Sequence, residues 1–259
     1  MNILIPMAGH SRRFQRAGYC TPKAFTLVDN RPMIHWIVGM FSPTDRFIFV
    51  ALRQHMANSK YKEILQTAAS RYHIIEIDAH ELGPVYSALL ADDLIKDNEP
   101  IIITYCDFYQ HWNYEQFLMQ MQGYEGGMAV FRGFHPASFG NTFYAYVRAN
   151  ASLEMLELRE KQSFTNKRHE EYASTGVYYV ESWDLYKQYA RRLLQHEINI
   201  GNEYYVSLIY NPMVADGLRV RLFEVDKFIC WGTPEDLDQY LFWSDFFADD
   251  VPRLKERSL

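Results

Sequence analysis

The order of apolar and polar positions along the chain predicts alternating strands and helices. Short β-branched runs are typical of strands, and segments whose apolar residues recur on one side are typical of helices. In the first half the predicted strands are 3–5, 47–52, 73–77 and 100–104, and the predicted helices are 33–41, 61–71 and 85–95. The run 100–104 is almost continuously apolar, as in a parallel strand that is covered on both faces. This alternation predicts βαβ units and a mostly parallel sheet.

The second half of the chain has a more mixed pattern. Strands are predicted at 128–131, 143–147 and 177–180, and helices at 183–194, 203–209 and 234–246. We find no internal repeat and no Pro/Ser-rich linker. The chain is therefore predicted to be a single domain over 1–259, with halves 1–125 and 126–259. The predicted fold class is α/β, with a Rossmann-like, mostly parallel but mixed sheet flanked by helices.

Composition narrows the class of protein further. Apolar residues make up 48% of the chain and charged residues 22%, which is typical of a globular protein. The three cysteines are widely spaced without a CxxC pair, which favours reduced thiols and a cytoplasmic location. No apolar stretch approaches the roughly 18 residues of a membrane span, and the initial strand leaves no room for a signal peptide. A net charge of −6 disfavours a broad nucleic-acid surface.

The charge is unevenly distributed at the N-terminus. No carboxylate precedes Asp29, whereas the same stretch holds Arg12, Arg13, Arg16 and Lys23. A solvated basic face is the simpler interpretation. A locally basic entrance on an acidic protein also favours a small, multiply charged anion as the ligand.

The turn after the first strand is the best candidate for a phosphate site. Ligands of open α/β sheets bind beyond the carboxyl ends of the strands. The small residues Ala8, Gly9 and Ser11 would let backbone N–H groups approach phosphate oxygens. The G-x-G-x-x-G and G-x-x-x-x-G-K-[ST] signatures of two common nucleotide-binding folds are absent from the sequence.

A set of motifs beginning in this turn resembles the sugar-phosphate nucleotidyltransferase family of the capsule and surface-glycan type. The sequence A-G-H-S-R-R-F at 8–14 is followed by P-K at 22–23 and by P-M-I at 32–34. The resemblance implies the nucleotidyltransferase type of fold, with nucleotide binding in the first half and acceptor binding in the second. It implies that Arg13 and Lys23 hold the triphosphate and the reacting phosphates. Ser11 and Arg12 replace the family's usual glycine and Ser or Thr.

Two further motifs extend the resemblance through the first half. The sequence L-G-P-V-Y-S-A at 82–88 resembles the segment that reads the nucleotide base, which assigns Gly83, Pro84 and Ser87 to nucleotide binding. At the end of the apolar strand, Asp107 resembles the family's metal-binding aspartate. A carboxylate there suits Mg²⁺, which takes oxygen ligands and bridges phosphates.

The motifs of the second half point to the acceptor. The pair Glu160 and Lys161 resembles the family's E-K motif, whose lysine holds the acceptor phosphate, and Gly176 lies in a T-G-x-Y strand. The family's G-T-P-E-D-L turn matches 232–237, where Thr233 can cap a helix. Glu203 is also assigned to the acceptor site.

One position departs from the family pattern. The second metal-binding aspartate is replaced by Cys230, and a neutral thiol is a poor ligand for Mg²⁺. Three explanations stay open. Asp107 and the phosphates hold one ion, or Asp226 or Glu203 contributes a carboxylate, or catalysis has been lost.

The implied reaction joins a nucleoside monophosphate to a small phosphorylated acceptor, with release of pyrophosphate and with Mg²⁺ as cofactor. The resemblance favours a sugar 1-phosphate, slightly favours a pyrimidine nucleotide, and implies neither nucleic acid nor membrane as a partner. Some relatives activate phosphonates or phosphoamides instead, and a homodimer is one option for the oligomeric state. The rival functions are a glycosyltransferase, disfavoured by Asp107-Phe108-Tyr109 in place of Asp-x-Asp, and a degenerate nucleotide-binding module.

Overall fold

The computed structural model describes residues 1–248, which form thirteen strands and ten α-helices. The strands are β1 (Asn2–Pro6), β2 (Leu27–Val28), β3 (Arg31–Pro32), β4 (Arg46–Leu52), β5 (Tyr72–Ile77), β6 (Ile101–Thr104), β7 (Phe108–His111), β8 (Gly126–Phe131), β9 (Ala145–Ala149), β10 (Met155–Glu160), β11 (Tyr172–Val180), β12 (Val220–Glu224) and β13 (Lys227–Cys230). The α-helices are α1 (Arg12–Arg16), α2 (Met33–Val38), α3 (Arg53–Met56), α4 (Ser59–Ala68), α5 (Gly83–Leu89), α6 (Tyr114–Met121), α7 (Pro136–Phe139), α8 (Trp183–Gln195), α9 (Tyr210–Ala215) and α10 (Pro234–Ala248).

Nine of the strands form one mixed sheet. Its order is β10-β9-β11-β6-β1-β4-β5, and β8 joins it through β11, with β12 beside β8. The pairs among β6, β1, β4 and β5 are parallel, whereas β11 is antiparallel to β6, β8 and β9. The predicted fold class is confirmed, and the sheet contains strands from both predicted halves of the chain.

The strand order locates a ligand crevice. The chain runs from β1 outward through β4 to β5 and then returns to β6 on the other side of β1. In open α/β sheets this reversal separates the loops that follow the two adjacent strands, and the gap between them is where ligands bind. The turn after β1 and the residues after β6 therefore lie at the edges of one crevice.

The apolar runs are explained by two cores, one on each face of the sheet. Leu4 packs into one core, while Ile3 and Ile5 pack into the other, and all three are fully buried. Successive strand residues point to opposite faces, so a strand covered on both sides must be apolar throughout. Burial of each such side chain stabilises the folded protein by about 1.5–3 kcal/mol. This burial holds the strand ends, and hence the crevice, in place.

The predicted helix 203–209 is wrong. Gly201 and Asn202 have left-handed φ angles of 61° and 68°, and Tyr204 forms backbone hydrogen bonds with Leu82 and Val85. These contacts hold the segment in an irregular conformation up to Tyr205. A 3₁₀ turn then runs over Val206–Ile209 and leads into α9.

The other differences concern where elements begin and end, and elements that were not predicted. The helix predicted at 33–41 ends at Val38, before Gly39, and the strand predicted at 143–147 starts at Ala145 instead. The pattern did not predict β2, β3, β7, β10, β12 or β13, nor the helices α1, α3, α6, α7 and α9. β7 and β13 have four residues each, too few to establish a period. Across the part of the chain that the structure describes, no helix has the length and apolar character needed to cross a membrane.

Candidate active site

A cleft of about 640 Å³ opens at the carboxyl ends of β1 and β6. Its volume lies within the range of known ligand sites, about 300–1,000 Å³. The structure brings every site residue predicted from the sequence to its wall: Ala8, Gly9, Ser11, Arg12, Arg13, Lys23, Gly83, Pro84, Ser87, Asp107, Glu160, Lys161, Gly176 and Glu203. These residues come from both halves of the chain. Their individual roles stay predictions.

The turn after β1 presents backbone and basic side chains to the cleft. Ser11 has a left-handed φ of 52°, after which the short helix α1 begins. A Cβ atom placed on Gly9 would meet no protein atom within 4 Å. The protein itself therefore has room for a side chain at this position, so a glycine here favours the approach of a ligand. Arg12 forms an exposed ion pair with Glu81 across the cleft mouth.

Lys23 and Asp107 form the centre of the cleft. The Nζ atom of Lys23 lies 2.6 Å from Oδ2 of Asp107 and also donates to the carbonyl oxygen of Gly232. The same ammonium lies 5.0 Å from the centre of the Phe14 ring. Three segments that are far apart in the sequence therefore meet at one lysine side chain.

The pairing of β7 with β13 brings the G-T-P-E-D-L turn to Asp107. Cys230 is opposite Phe108 in this pairing, and the backbone N–H of Trp231 donates to the carbonyl oxygen of Asp107 at 2.8 Å. Thr233 and Asp236 then form a reciprocal capping box at the start of α10. The predicted cap at Thr233 is confirmed, and it fixes the turn that carries Gly232.

Cys230 is a neutral group in this environment. Burial, reinforced by the nearby Asp236 and Asp107 carboxylates, raises the pKa of its thiol to about 12. The thiol lies 3.6 Å from Oδ2 of Asp236, to which it donates, and its sulfur accepts from the Gly232 N–H. Asp236 in turn is occupied by the capping box and by Thr142. Neither side chain is arranged as a free anionic ligand.

The two carboxylates considered as substitutes lie elsewhere. Asp226 pairs with His111 on the surface, where its side chain is 67% exposed. Glu203 is on the cleft wall but accepts a hydrogen bond from the Tyr205 hydroxyl at the acceptor end. Among the described residues, no group of three or more His, Cys, Asp or Glu side chains is arranged to hold a metal ion. Asp107, partly exposed on the cleft wall, suits an ion that takes its other ligands from phosphates and water.

The acceptor end of the cleft combines a half-buried carboxyl group with a cation. Burial raises the pKa of Glu160, whose carboxylate accepts a hydrogen bond from Ser207. Lys161 follows with a left-handed φ of 56°, and its ammonium lies 4.2 Å from the centre of the Tyr205 ring. Gly176 also has a positive φ, 102°, and a Cβ there would come within 3.0 Å of the Tyr105 ring.

Beside the segment that carries Glu203 and Tyr205, the cleft wall contains the turn at Gly83 and several histidines. Gly83 has a φ of 78°, and a Cβ there would lie 2.8 Å from the Tyr204 nitrogen. Ser87 and His80 share a hydrogen bond of 2.9 Å. Burial, together with the charge of His10, lowers the pKa of His80 and of His55.

Sequence reasoning missed these histidines and Tyr205. His55 and His80 each come shortly after a predicted strand, which is the signal that could have identified them. Tyr205 had no such signal, because it lies within a segment that was predicted to be helical.

The comparisons with known proteins agree with this geometry. The sequence profile of the MobA-like NTP transferase domain matches residues 3–171. The chain belongs to this family. As a member, it is a nucleotidyltransferase. The family membership therefore favours a nucleotidyltransferase over the rival glycosyltransferase. No curated protein matches the chain.

Several solved structures share the fold of this nucleotidyltransferase. The nucleoside-diphosphate-sugar pyrophosphorylase from Vibrio cholerae RC9 has a TM-score of 0.75 at 20% identity, covering 92% of this chain and 99% of that chain. The inositol-1-phosphate CTP transferase from T. maritima has a TM-score of 0.67 at 16% identity, with coverages of 95% and 96%. A UDP-glucose pyrophosphorylase complexed with UDP-glucose has a TM-score of 0.70 at 15% identity, with coverages of 96% and 98%. At these identities the likeness establishes the fold alone.

Proposed function

We propose that this nucleotidyltransferase transfers a nucleoside monophosphate from a nucleoside triphosphate to a sugar 1-phosphate and releases pyrophosphate. The observation that carries the proposal is the meeting of Lys23, Asp107 and Gly232 in a cleft whose wall also carries the basic turn after β1 and Lys161. Cations from both halves of the chain in one cleft suit a reaction between two phosphorylated substrates.

The mechanism follows from this distribution of charge. An oxygen of the acceptor phosphate attacks the α-phosphorus in line, a new P–O bond forms, and the bond to the β-phosphate oxygen breaks. The acceptor phosphate is already anionic near neutral pH, so no protein base has to remove a proton. Arg13 and Lys23 neutralise charge on the pyrophosphate, and Lys161 holds the acceptor phosphate. Positioning and charge neutralisation supply most of the rate in such transfers.

We propose Mg²⁺ as the cofactor, held by Asp107 together with substrate phosphates. Its chemistry there would be neutralisation of the charge that develops on the leaving pyrophosphate. With the neutral Cys230 beside it, Asp107 is the only protein carboxylate that we assign to the ion. The pairing of Asp107 with Lys23 means that the lysine would share this carboxylate or turn toward the phosphates.

The names of two structural neighbours bear on the identity of the substrates. Two structural neighbours are named for CTP and for UDP-glucose, which supports a pyrimidine nucleotide. The name inositol-1-phosphate CTP transferase supports a second candidate, in which the acceptor is a phosphorylated compound other than a sugar. A role in surface polysaccharide synthesis and a homodimer rest on the sequence resemblance.

Pyrophosphate release tests the proposal. The five common nucleoside triphosphates would be combined with a panel of sugar 1-phosphates, inositol phosphate, phosphonates and phosphoamides, in Mg²⁺ and in EDTA. We expect one pair of nucleotide and acceptor to release pyrophosphate in the presence of Mg²⁺ and not in EDTA. Asp107→Asn should lower kcat by about 10²–10³-fold, as expected for loss of a charge-stabilising group. Asp226→Asn is the matched control, because this surface carboxylate should leave the activity unchanged.

Thermal unfolding separates the alternatives. A triphosphate at about 100 times its dissociation constant adds about 2.7 kcal/mol to the stability of the protein that binds it. A shift with nucleotide but no pyrophosphate with any acceptor would support the degenerate binding module. Incorporation of sugar from a nucleotide sugar would instead support a glycosyltransferase and contradict the proposal.

A further inference from the structure

Tyr205 lies between the two oppositely charged side chains at the acceptor end of the cleft. The ammonium of Lys161 donates a hydrogen bond to the Tyr205 hydroxyl, and this hydroxyl donates to Oε2 of Glu203. The Lys161 ammonium lies 4.2 Å from the centre of the Tyr205 ring, on the side of the hydroxyl. Tyr205 therefore contacts the lysine at its hydroxyl end.

This arrangement leaves the lysine able to bind an anion. An ammonium has three N–H donors, of which the Tyr205 hydroxyl takes one. A direct ion pair with Glu203 would instead satisfy the charge of Lys161 and compete with an incoming phosphate. The hydroxyl separates the carboxylate from the ammonium, and Glu203 orients the hydroxyl so that its oxygen faces Lys161.

The tyrosine itself is fixed from both sides along the chain. On the N-terminal side, the Tyr204 nitrogen donates to the Leu82 carbonyl at 3.1 Å, and the Tyr204 carbonyl accepts from Val85 at 3.1 Å. On the C-terminal side, Val206 is fully buried at the start of its 3₁₀ turn. Through Tyr204, Tyr205 is thus attached to the turn at Gly83, which lines the cleft beside it.

Lys161 needs such support. A lysine side chain has a flexible stem of four carbons and loses much rotamer freedom when its ammonium is held in one place. The left-handed backbone of Lys161 sets the direction in which the side chain leaves the chain, but not the position of its ammonium. The hydroxyl of Tyr205 supplies that second constraint.

We infer that Tyr205 is a positioning residue that holds the Lys161 ammonium ready for the acceptor phosphate. This inference rests on the proposed function, because it takes Lys161 as the acceptor-binding cation. Tyr205 acts through Lys161 and through contact with Glu203, and it does not take part in bond breaking.

The test compares Tyr205→Phe, which removes only the hydroxyl, with Tyr205→Leu, which also removes the ring that carries it. The KM for the acceptor should rise by about 3–10-fold in Tyr205→Phe, the range expected for one lost hydrogen bond. It should rise further in Tyr205→Leu. The Kd for the nucleoside triphosphate should stay within about twofold of wild type. Tyr189→Phe is the matched control, because the Tyr189 hydroxyl also donates to a carboxylate, Asp216, away from the cleft.

A double-mutant cycle with Lys161→Ala distinguishes positioning from a separate contact. If Tyr205 acts through the lysine, Tyr205→Phe should have little further effect on acceptor KM once Lys161 is removed. Equal losses in both backgrounds would overturn the inference, as would an unchanged acceptor KM in Tyr205→Leu.

A measurement that does not require enzyme activity separates the test of this inference from the test of the proposed function. Acylation of Lys161, measured by peptide mass spectrometry on the free protein, should be faster in Tyr205→Leu than in wild type or Tyr189→Phe. Equal acylation rates would overturn the inference even in an active enzyme. Suppose that Lys161 is acylated faster in Tyr205→Leu than in wild type, and that wild type has no transferase activity. Tyr205 would then still position Lys161, but the proposed reaction would be refuted.

Discussion

The Nζ atom of Lys23 lies 2.6 Å from the Oδ2 atom of Asp107, although 84 residues separate them in the chain. Lys23 is held by a 3₁₀ turn that starts after Pro22, and Asp107 follows β6. The pair therefore joins the loop after the first strand to the opposite side of the strand reversal. Its position makes it the centre of the proposed reaction.

Lys23→Met should lower kcat by about 10²–10³-fold, because it removes a cation that stabilises the transition state. Stability should change by only about 1 kcal/mol, since the pair is partly exposed to solvent. Steady-state pyrophosphate release and urea unfolding measure the two effects. Lys62→Met serves as the control, because Lys62 pairs with Glu76 on the surface. Activity within about threefold of wild type in Lys23→Met would contradict the assigned role.

The three thiols should differ in reactivity. Burial raises the pKa of Cys106 and of Cys230 to about 12, whereas Cys20 is exposed. Since the thiolate is the reactive form, iodoacetamide at pH 8 should label Cys20 well before the other two. Mass spectrometry of tryptic peptides gives the order. Early labelling of Cys230 in the folded protein would contradict its description as a neutral, half-buried group.

The same shifts set a direction for stability at alkaline pH. A pKa that is raised on folding stabilises the folded protein below the unfolded value, here about 9, and this contribution is lost as pH rises toward 12. As pH rises through this range, the free energy of unfolding of Cys230→Ser should therefore fall less steeply than that of wild type. Urea unfolding at pH 8, 9 and 10 measures the difference, and parallel curves would contradict it.

Glu160→Gln should stabilise the protein more at pH 7.5 than at pH 4.5. Burial raises the pKa of Glu160, so its contribution to stability is present below the unfolded value, near 4.5, and is lost as pH rises and the carboxyl group must ionise. The amide avoids that cost while it keeps a partner for Ser207. Thermal midpoints at the two pH values measure the effect. A larger gain at pH 4.5 would show that the carboxyl group ionises readily in the folded protein.

Gly83→Ala should weaken both the fold and the site. A left-handed φ costs an alanine about 1 kcal/mol, and the new Cβ would lie 2.8 Å from the Tyr204 nitrogen. Gly123→Ala is a matched control, because Gly123 has the same φ of 78° but open space around it. Urea unfolding should show the larger loss for Gly83→Ala, and this variant alone should raise the KM for both substrates. Equal losses in the two variants would mean that the contact with Tyr204 relaxes without effect.

The sequence by itself determined the parallel strands and the turn that we propose binds phosphate. Residues 3–5 and 100–104 are apolar throughout because both faces of their strands are buried, and such a run can be identified without knowing what covers it. The predicted site residues follow strand ends or match ordered motifs, and parallel strands bring their carboxyl ends to one edge. Local pattern was sufficient for all of these.

Only the tertiary structure decided which side chains meet across long separations. Lys23 contacts Gly232 across 209 residues, and Lys161 contacts Tyr205 across 44 residues. It also decided that Asp226 faces the surface and that Cys230 turns toward Asp236. A local pattern records the period of a segment and the chemistry of its turns. The position of Tyr205 depends instead on the backbone hydrogen bonds of its neighbour Tyr204 with Leu82 and Val85, and those form only when the two halves pack together.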